Sequence, residues 1–213
     1  MPTTEDGVVA FEAGDFDAAR EIWESLADSG DGEAEAWLGS LYANGTGVAR
    51  DAARAFQLYA RAAERGNALA ANNVGAMYAN GDGVATDPAE AAKWFRRAAE
   101  AGDALGQFNY AVMLTKGLGV AVDPAGAVEW YRRAAEAGHY PSQARLGYCY
   151  AKGVGVPIDR IEAFVWLGAA AQHGVGLAIA ELEDVVRALS EEQRRDAKHR
   201  LIERFGAGAA QLM

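Results

Sequence analysis

The sequence predicts an all-α solenoid of stacked helix-turn-helix repeats. Three observations carry this: glycines recurring every 36 residues, a Gly-x-Gly-Val loop repeated in the same register, and apolar residues spaced at helical intervals between them. Gly30, Gly66, Gly102, Gly138 and Gly174 stand 36 residues apart. The same offset superposes Tyr42 to Val48, Tyr78 to Val84, Leu114 to Val120 and Tyr150 to Val156, four copies of one loop.

Each loop is followed by an aspartate: Asp51, Asp87, Asp123 or Asp159. Pro88 and Pro124 come next in the middle two copies. An aspartate accepts hydrogen bonds from the free amides of a helix's first turn, and proline at the first helical position gives up no internal bond. A helix therefore begins here and runs toward the 36-spaced glycine, where a left-handed residue ends it. Its apolar stripe repeats as Ala55/Leu58/Tyr59/Ala62, Ala91/Trp94/Phe95/Ala98, Ala127/Trp130/Tyr131/Ala134 and Ala163/Trp166/Leu167/Ala170.

The helix preceding each loop has inward positions four apart: Ala34/Leu38/Tyr42, Ala70/Val74/Tyr78, Gly106/Tyr110/Leu114 and Ser142/Leu146/Tyr150. Small residues at Gly39, Gly75, Ala111 and Gly147 are expected to admit an aromatic ring from the paired helix. A hairpin of this kind cannot bury its apolar faces alone and must stack on its neighbours. The expected organisation is one solenoid domain: a cap unit over 5–30, repeats over 31–66, 67–102, 103–138 and 139–174, capping helices over 175–205, and a flexible tail over 206–213. In the cap unit, Phe11 to Ala19 and Ile22-Trp23 match a repeat lacking the Gly-x-Gly-Val insertion. Near the other end, Ser190-Glu191-Glu192-Gln193 is a capping-box pattern. It opens a last helix with an expected apolar stripe of Ala197, Leu201, Ile202 and Phe205.

Taken together, the alanine, Leu-Gly, tyrosine, Gly-x-Gly-Val loop, aspartate, aromatic and Ala-Ala before a closing glycine resemble the Sel-one-like repeat family, related to the tetratricopeptide repeat. The resemblance covers Asp31 to Gly174 in four copies. It implies a right-handed superhelix of antiparallel helix pairs and a role as a scaffold or adaptor for protein complexes.

Charge and composition limit the functional classes. Of 213 residues, 51% are hydrophobic and 23% charged, a composition with enough apolar surface to fold. Thirty acidic against twenty basic residues give a net charge of −10, which disfavours nucleic acid and anionic membrane. The single cysteine, Cys149, cannot close an intramolecular disulfide and occupies the place of Leu41, Met77 and Met113 in other copies, so a small buried hydrophobe is expected. Without a run of 18 apolar residues or a signal-like start, the chain is expected to be cytoplasmic, or periplasmic if an export signal has been trimmed away. A monomer is expected, since both ends read as capped.

Catalysis is not expected. His139, His173 and His199 are dispersed, without carboxylate or cysteine spacing that fits a metal. No metal or cofactor is expected, and His139 and His173 are expected to engage helix-end carbonyls. The Gly-x-Gly-Val loops are not read as phosphate cradles, because each is followed by an acidic cap. Trp94, Trp130 and Trp166 are expected in the core, on the second-helix stripe.

The candidate site is the face of the first helices that the resemblance turns toward a concave wall. It reads Glu33/Trp37/Ser40/Asn44, Leu69/Asn73/Ala76/Asn80, Leu105/Asn109/Val112/Lys116 and Pro141/Arg145/Tyr148/Lys152, with Asn72 and Phe108 at its border. The expected partner is a protein or peptide. Asn73 and Asn109 would bond its backbone, while Phe108 and Tyr148 hold its apolar side chains. Arg145 with Lys116 or Lys152 would engage a carboxylate. A cell-envelope saccharide or peptidoglycan fragment is the alternative ligand, since aromatics and amides suit sugars as well.

Overall fold

A computed structural model describes residues 2–206 and 208. Among them are twelve α-helices and no strand. They are α1 (Thr4–Glu12), α2 (Phe16–Asp28), α3 (Gly32–Asn44), α4 (Ala52–Glu64), α5 (Ala68–Asn80), α6 (Pro88–Glu100), α7 (Ala104–Lys116), α8 (Pro124–Glu136), α9 (Tyr140–Lys152), α10 (Arg160–Ala171), α11 (Gly176–Ala188) and α12 (Glu191–Phe205). Of the expected tail over 206–213, all but Gly206 and Gly208 lie outside the described residues. By compactness the chain forms two units, 1–106 with 118–120, and 107–117 with 121–213. Each is built of helical hairpins laid side by side.

The helix starts follow the sequence. The carboxylates of Asp51, Asp87, Asp123 and Asp159 accept backbone amides of the helices they open, and Pro88 and Pro124 stand at the first helical position. Each loop is closed by a further bond in which the capping aspartate's own amide donates to the carbonyl of Tyr42, Tyr78, Leu114 or Tyr150. The first helices are capped less uniformly: Asp31, Asn67 and Asp103 accept first-turn amides through their side chains, but His139 and Val175 do not.

In unit 1, the inward stripes meet as expected. A Cβ at Gly39 would lie 2.8 Å from Tyr59, and one at Gly75 2.8 Å from Phe95, so glycine is what allows these rings to rest on the facing backbone. The second glycine of each loop joins one repeat to the next. Gly83 has φ +73°, and a Cβ there would run into the carbonyl of Ala52, the first residue of the preceding repeat's α4. Gly119 meets Pro88 in the same way. The cap unit adds α1 and α2, with Trp23 fully buried and its Nε1 donating to the Thr4 carbonyl at 3.1 Å.

In unit 2, Gly147 accommodates Leu167 in place of the expected aromatic; a Cβ at Gly147 would lie 2.7 Å from Leu167 Cγ. Gly155 abuts Pro124 as the other loop glycines abut their predecessors. At the end of the array the capping box forms as the sequence indicates, Ser190 N–H donating to Gln193 Oε1 at 2.9 Å and Gln193 N–H to Ser190 Oγ at 3.2 Å. The stripe of α12 is narrower than expected. Ala197 and Leu201 are buried, whereas Ile202 is 39% exposed because it stands one residue, about 100°, round from Leu201. Phe205 is also exposed, edge-on to Trp166 at 5.6 Å.

The tryptophans divide. Trp166 is buried, but Trp94 and Trp130 are only half-buried, and the guanidinium groups of Arg97 and Arg133 lie over their rings at 5.2 and 4.6 Å. The indoles thus shield their repeats from water with arginine as a lid.

Candidate binding surface

The site is built on the first helices. In unit 1, α3 and α5 bound two adjoining clefts that share Ser40, Tyr59 and Asn73. The first, about 210 Å³, is lined by Glu33, Ala36, Trp37, Asn67 and Leu69 in addition to the shared three. The second, about 350 Å³, continues past Ala43, Asn44, Ala76, Met77, Asn80 and Asp82. All eight residues expected on this face of α3 and α5 therefore line one groove.

The floor is polar at one point. Tyr59 reaches it from α4 and lines it beside Ser40 and Asn73; burial pushes its phenol above the ordinary value. Asn44 Nδ2 donates to Ser40 Oγ at 3.2 Å. The half-buried amide of Asn73 brings hydrogen-bonding capacity to the cleft, since a carboxamide offers two donors and two lone pairs. Trp37 forms a wall. One face of its indole stacks on Trp23, with centroids 5.1 Å apart and planes 8° from parallel. Across from it Leu69 is 57% exposed. Asp82 is neutralised by Arg50, whose Nη2 donates to both carboxylate oxygens at 2.6 and 2.7 Å.

Asn72, expected at the border of this surface, lies inside the protein at 2% exposure. A first helix packs against its own partner helix and against the preceding repeat, so it buries more than one flank. The single-flank helical wheel placed Asn72 too far out.

In unit 2, Asn109, Val112 and Tyr148 are half-buried on α7 and α9, and Lys116, Arg145 and Lys152 are exposed. Lys152 is engaged by its own chain, its Nζ 2.9 Å from Glu181 Oε2. Phe108 is packed against Tyr131 and His139, with centroids at 5.8 and 5.1 Å, and serves the fold there. Arg145 lies near enough to Tyr131 and Cys149 to influence both electrostatically.

His139 Nδ1 is 2.8 Å from Ser142 Oγ, and His173 stacks on Tyr140 at 3.5 Å. Cys149 is buried, which pushes its thiol up to about 11 and away from nucleophilic chemistry. Among the described residues no group of three or more His, Cys, Asp or Glu could hold a metal, and no helix is long and apolar enough to cross a membrane.

Comparison with known proteins places these repeats. A family profile described as Sel1 repeat matches residues 32–67, 68–103, 104–139 and 141–175. The chain belongs to the Sel1 repeat family. Its fold is similar to that of a Sel1 repeat protein from Oxalobacter formigenes, 28% identical over 99% of this chain and 89% of that one, with a TM-score of 0.81. It is also similar to a protective antigen of uropathogenic Escherichia coli strains displaying an SLR fold, 31% identical over 90% of this chain, with a TM-score of 0.80. The match spans 42% of that antigen's length. A sel1 repeat protein from Klebsiella pneumoniae subsp. pneumoniae, 22% identical over 86% of this chain and 91% of that one, shares the fold at a TM-score of 0.53. Among curated proteins no sequence match was found. Sel1 repeat proteins are in general protein-interaction modules and typically non-catalytic.

Proposed function

We propose that this Sel1 repeat protein is a non-catalytic, cytoplasmic interaction module whose α3/α5 groove holds an extended segment of a partner protein. The observation that carries this reading is the groove itself, in which apolar walls from Trp37 and Leu69 flank a polar floor of Ser40, Tyr59 and Asn73. An extended peptide presents alternating side chains and unpaired backbone amides and carbonyls. It needs apolar walls for the former and fixed side-chain amides for the latter. The half-buried Asn73 and the exposed Asn44 and Asn80 supply such amides along one line. In unit 2 the exposed Lys116 and Arg145 offer a cationic counterpart for partner carboxylates beside Val112 and Tyr148.

A photoreactive benzoylphenylalanine in place of Ser40, compared with one in place of the exposed Gln57 on α4, tests the groove in the native host. Cross-linking of a defined polypeptide from Ser40 and not from Gln57 supports the reading. Equal labelling from both positions, or labelling from neither, counts against it.

A further inference from the structure

The groove is not electrostatically neutral along its length. At the far end Asp82 is already neutralised by Arg50. At the near end Glu33 is exposed, and among the described residues no cation pairs with it. The cleft it borders is lined by Trp37, Leu69, Ala36, Asn67 and the shared polar floor, with no lysine or arginine among the lining residues. Glu33 and Trp37 stand one helical turn apart on α3, so carboxylate and indole face the same cleft.

We propose that this cleft receives an arginine side chain of the bound segment. The proposal rests on the reading of the groove as a peptide site. Arginine fits the three surfaces together. Its methylene stem covers the exposed Leu69, its planar guanidinium lies against the indole of Trp37, and its forked donors meet the Glu33 carboxylate. A cleft of about 210 Å³ has room for one long side chain and little more, which makes it a pocket for a single anchor residue. An acidic side chain is repelled by Glu33, and a short apolar one leaves the cleft underfilled.

The test uses synthetic, acetylated hexapeptide mixtures, each fixing one residue at one position, with binding to the immobilised full chain measured by interferometry. Mixtures fixing arginine at one position bind about tenfold tighter than those fixing citrulline, its neutral isostere, or glutamate. Glu33→Gln removes that preference, whereas Asn73→Ala weakens arginine and citrulline mixtures alike. If citrulline binds as well as arginine, or Glu33→Gln leaves the preference intact, the arginine pocket is overturned while the peptide groove stands. If no mixture binds, or Asn73→Ala changes nothing, the groove itself fails and the pocket with it.

Discussion

Trp23 of the cap unit and Trp37 of the first full repeat stack face to face, their rings 5.1 Å apart and within 8° of parallel. Trp23 is fully buried, hydrogen-bonded to the Thr4 carbonyl and seated over Gly7, so it cannot shift. The cap therefore does more than shield the end of the array: it fixes the orientation of the indole that walls the groove. Trp23→Ala is expected to destabilise the fold by about 3–5 kcal/mol, the range for truncating a buried large aromatic. Trp23→Phe should cost less, yet abolish the exciton couplet of two stacked indoles in circular dichroism.

The loop glycines give a second expectation. Gly83 has positive φ and no room for a Cβ beside the Ala52 carbonyl, whereas Gly66 has positive φ with open space around it. Replacing Gly66 with alanine should cost about 1 kcal/mol, the strain of a left-handed residue alone. The same change at Gly83 should cost about 3 kcal/mol or more, because the repeats must separate to admit the methyl. Urea titrations of the two variants check the difference.

Glu35 is a buried carboxylate, 2% exposed, held by Arg61 Nε at 3.0 Å and Arg65 Nε at 3.1 Å. Removing both arginines leaves a buried charge uncompensated and should cost about 3 kcal/mol or more. Glu35→Ala gives this repeat the residue that Ala71 provides in the next, and should cost less. Thermal melts of the two variants rank these costs, and equal losses would contradict this account of the pair.

Cys149 sets an alkaline limit. Its thiol is pushed from 9.0 to about 11 by burial, so between those values the unfolded chain releases a proton that the native chain keeps. The unfolded state thus binds fewer protons, and stability falls with rising pH by up to about 1.4 kcal/mol per unit in that window. It is unaffected by this group below pH 9. Cys149→Ala should flatten the slope between pH 9 and 11, and native protein should react slowly with Ellman's reagent at pH 8 until it is unfolded. Tyr59 and Tyr131, both raised by burial, add a decline of the same sign at higher pH.

Much of the fold was legible because a 36-residue repeat states every rule four times. Asp51 and its counterparts mark helix starts and Gly39 and Gly75 mark ring contacts, and each such signal needs only the local chain. The groove residues Trp37, Ser40, Leu69 and Asn73 were legible for the same reason, since one helical wheel places them together. What escaped was set by neighbours outside the wheel. Asn72 and Glu35 are buried on the other flanks of their helices, the latter with arginines some 30 residues away in the chain. Lys152 is claimed by Glu181 of α11, and Tyr59 reaches the groove floor from a second helix. No spacing rule within a single helix reports such long-range encounters.

At Gly83, Gly119 and Gly155 the seat between one hairpin and the next is a main-chain carbonyl, with no side chain to match. Any hairpin that ends its first helix in this loop and opens its second with the same cap presents identical mating parts. A duplicate of 67–102 spliced in after Gly102 would find its docking points already in place. Lengthening such an array by whole units asks nothing new of the sequence at the joints, which leaves the surface positions free to diversify.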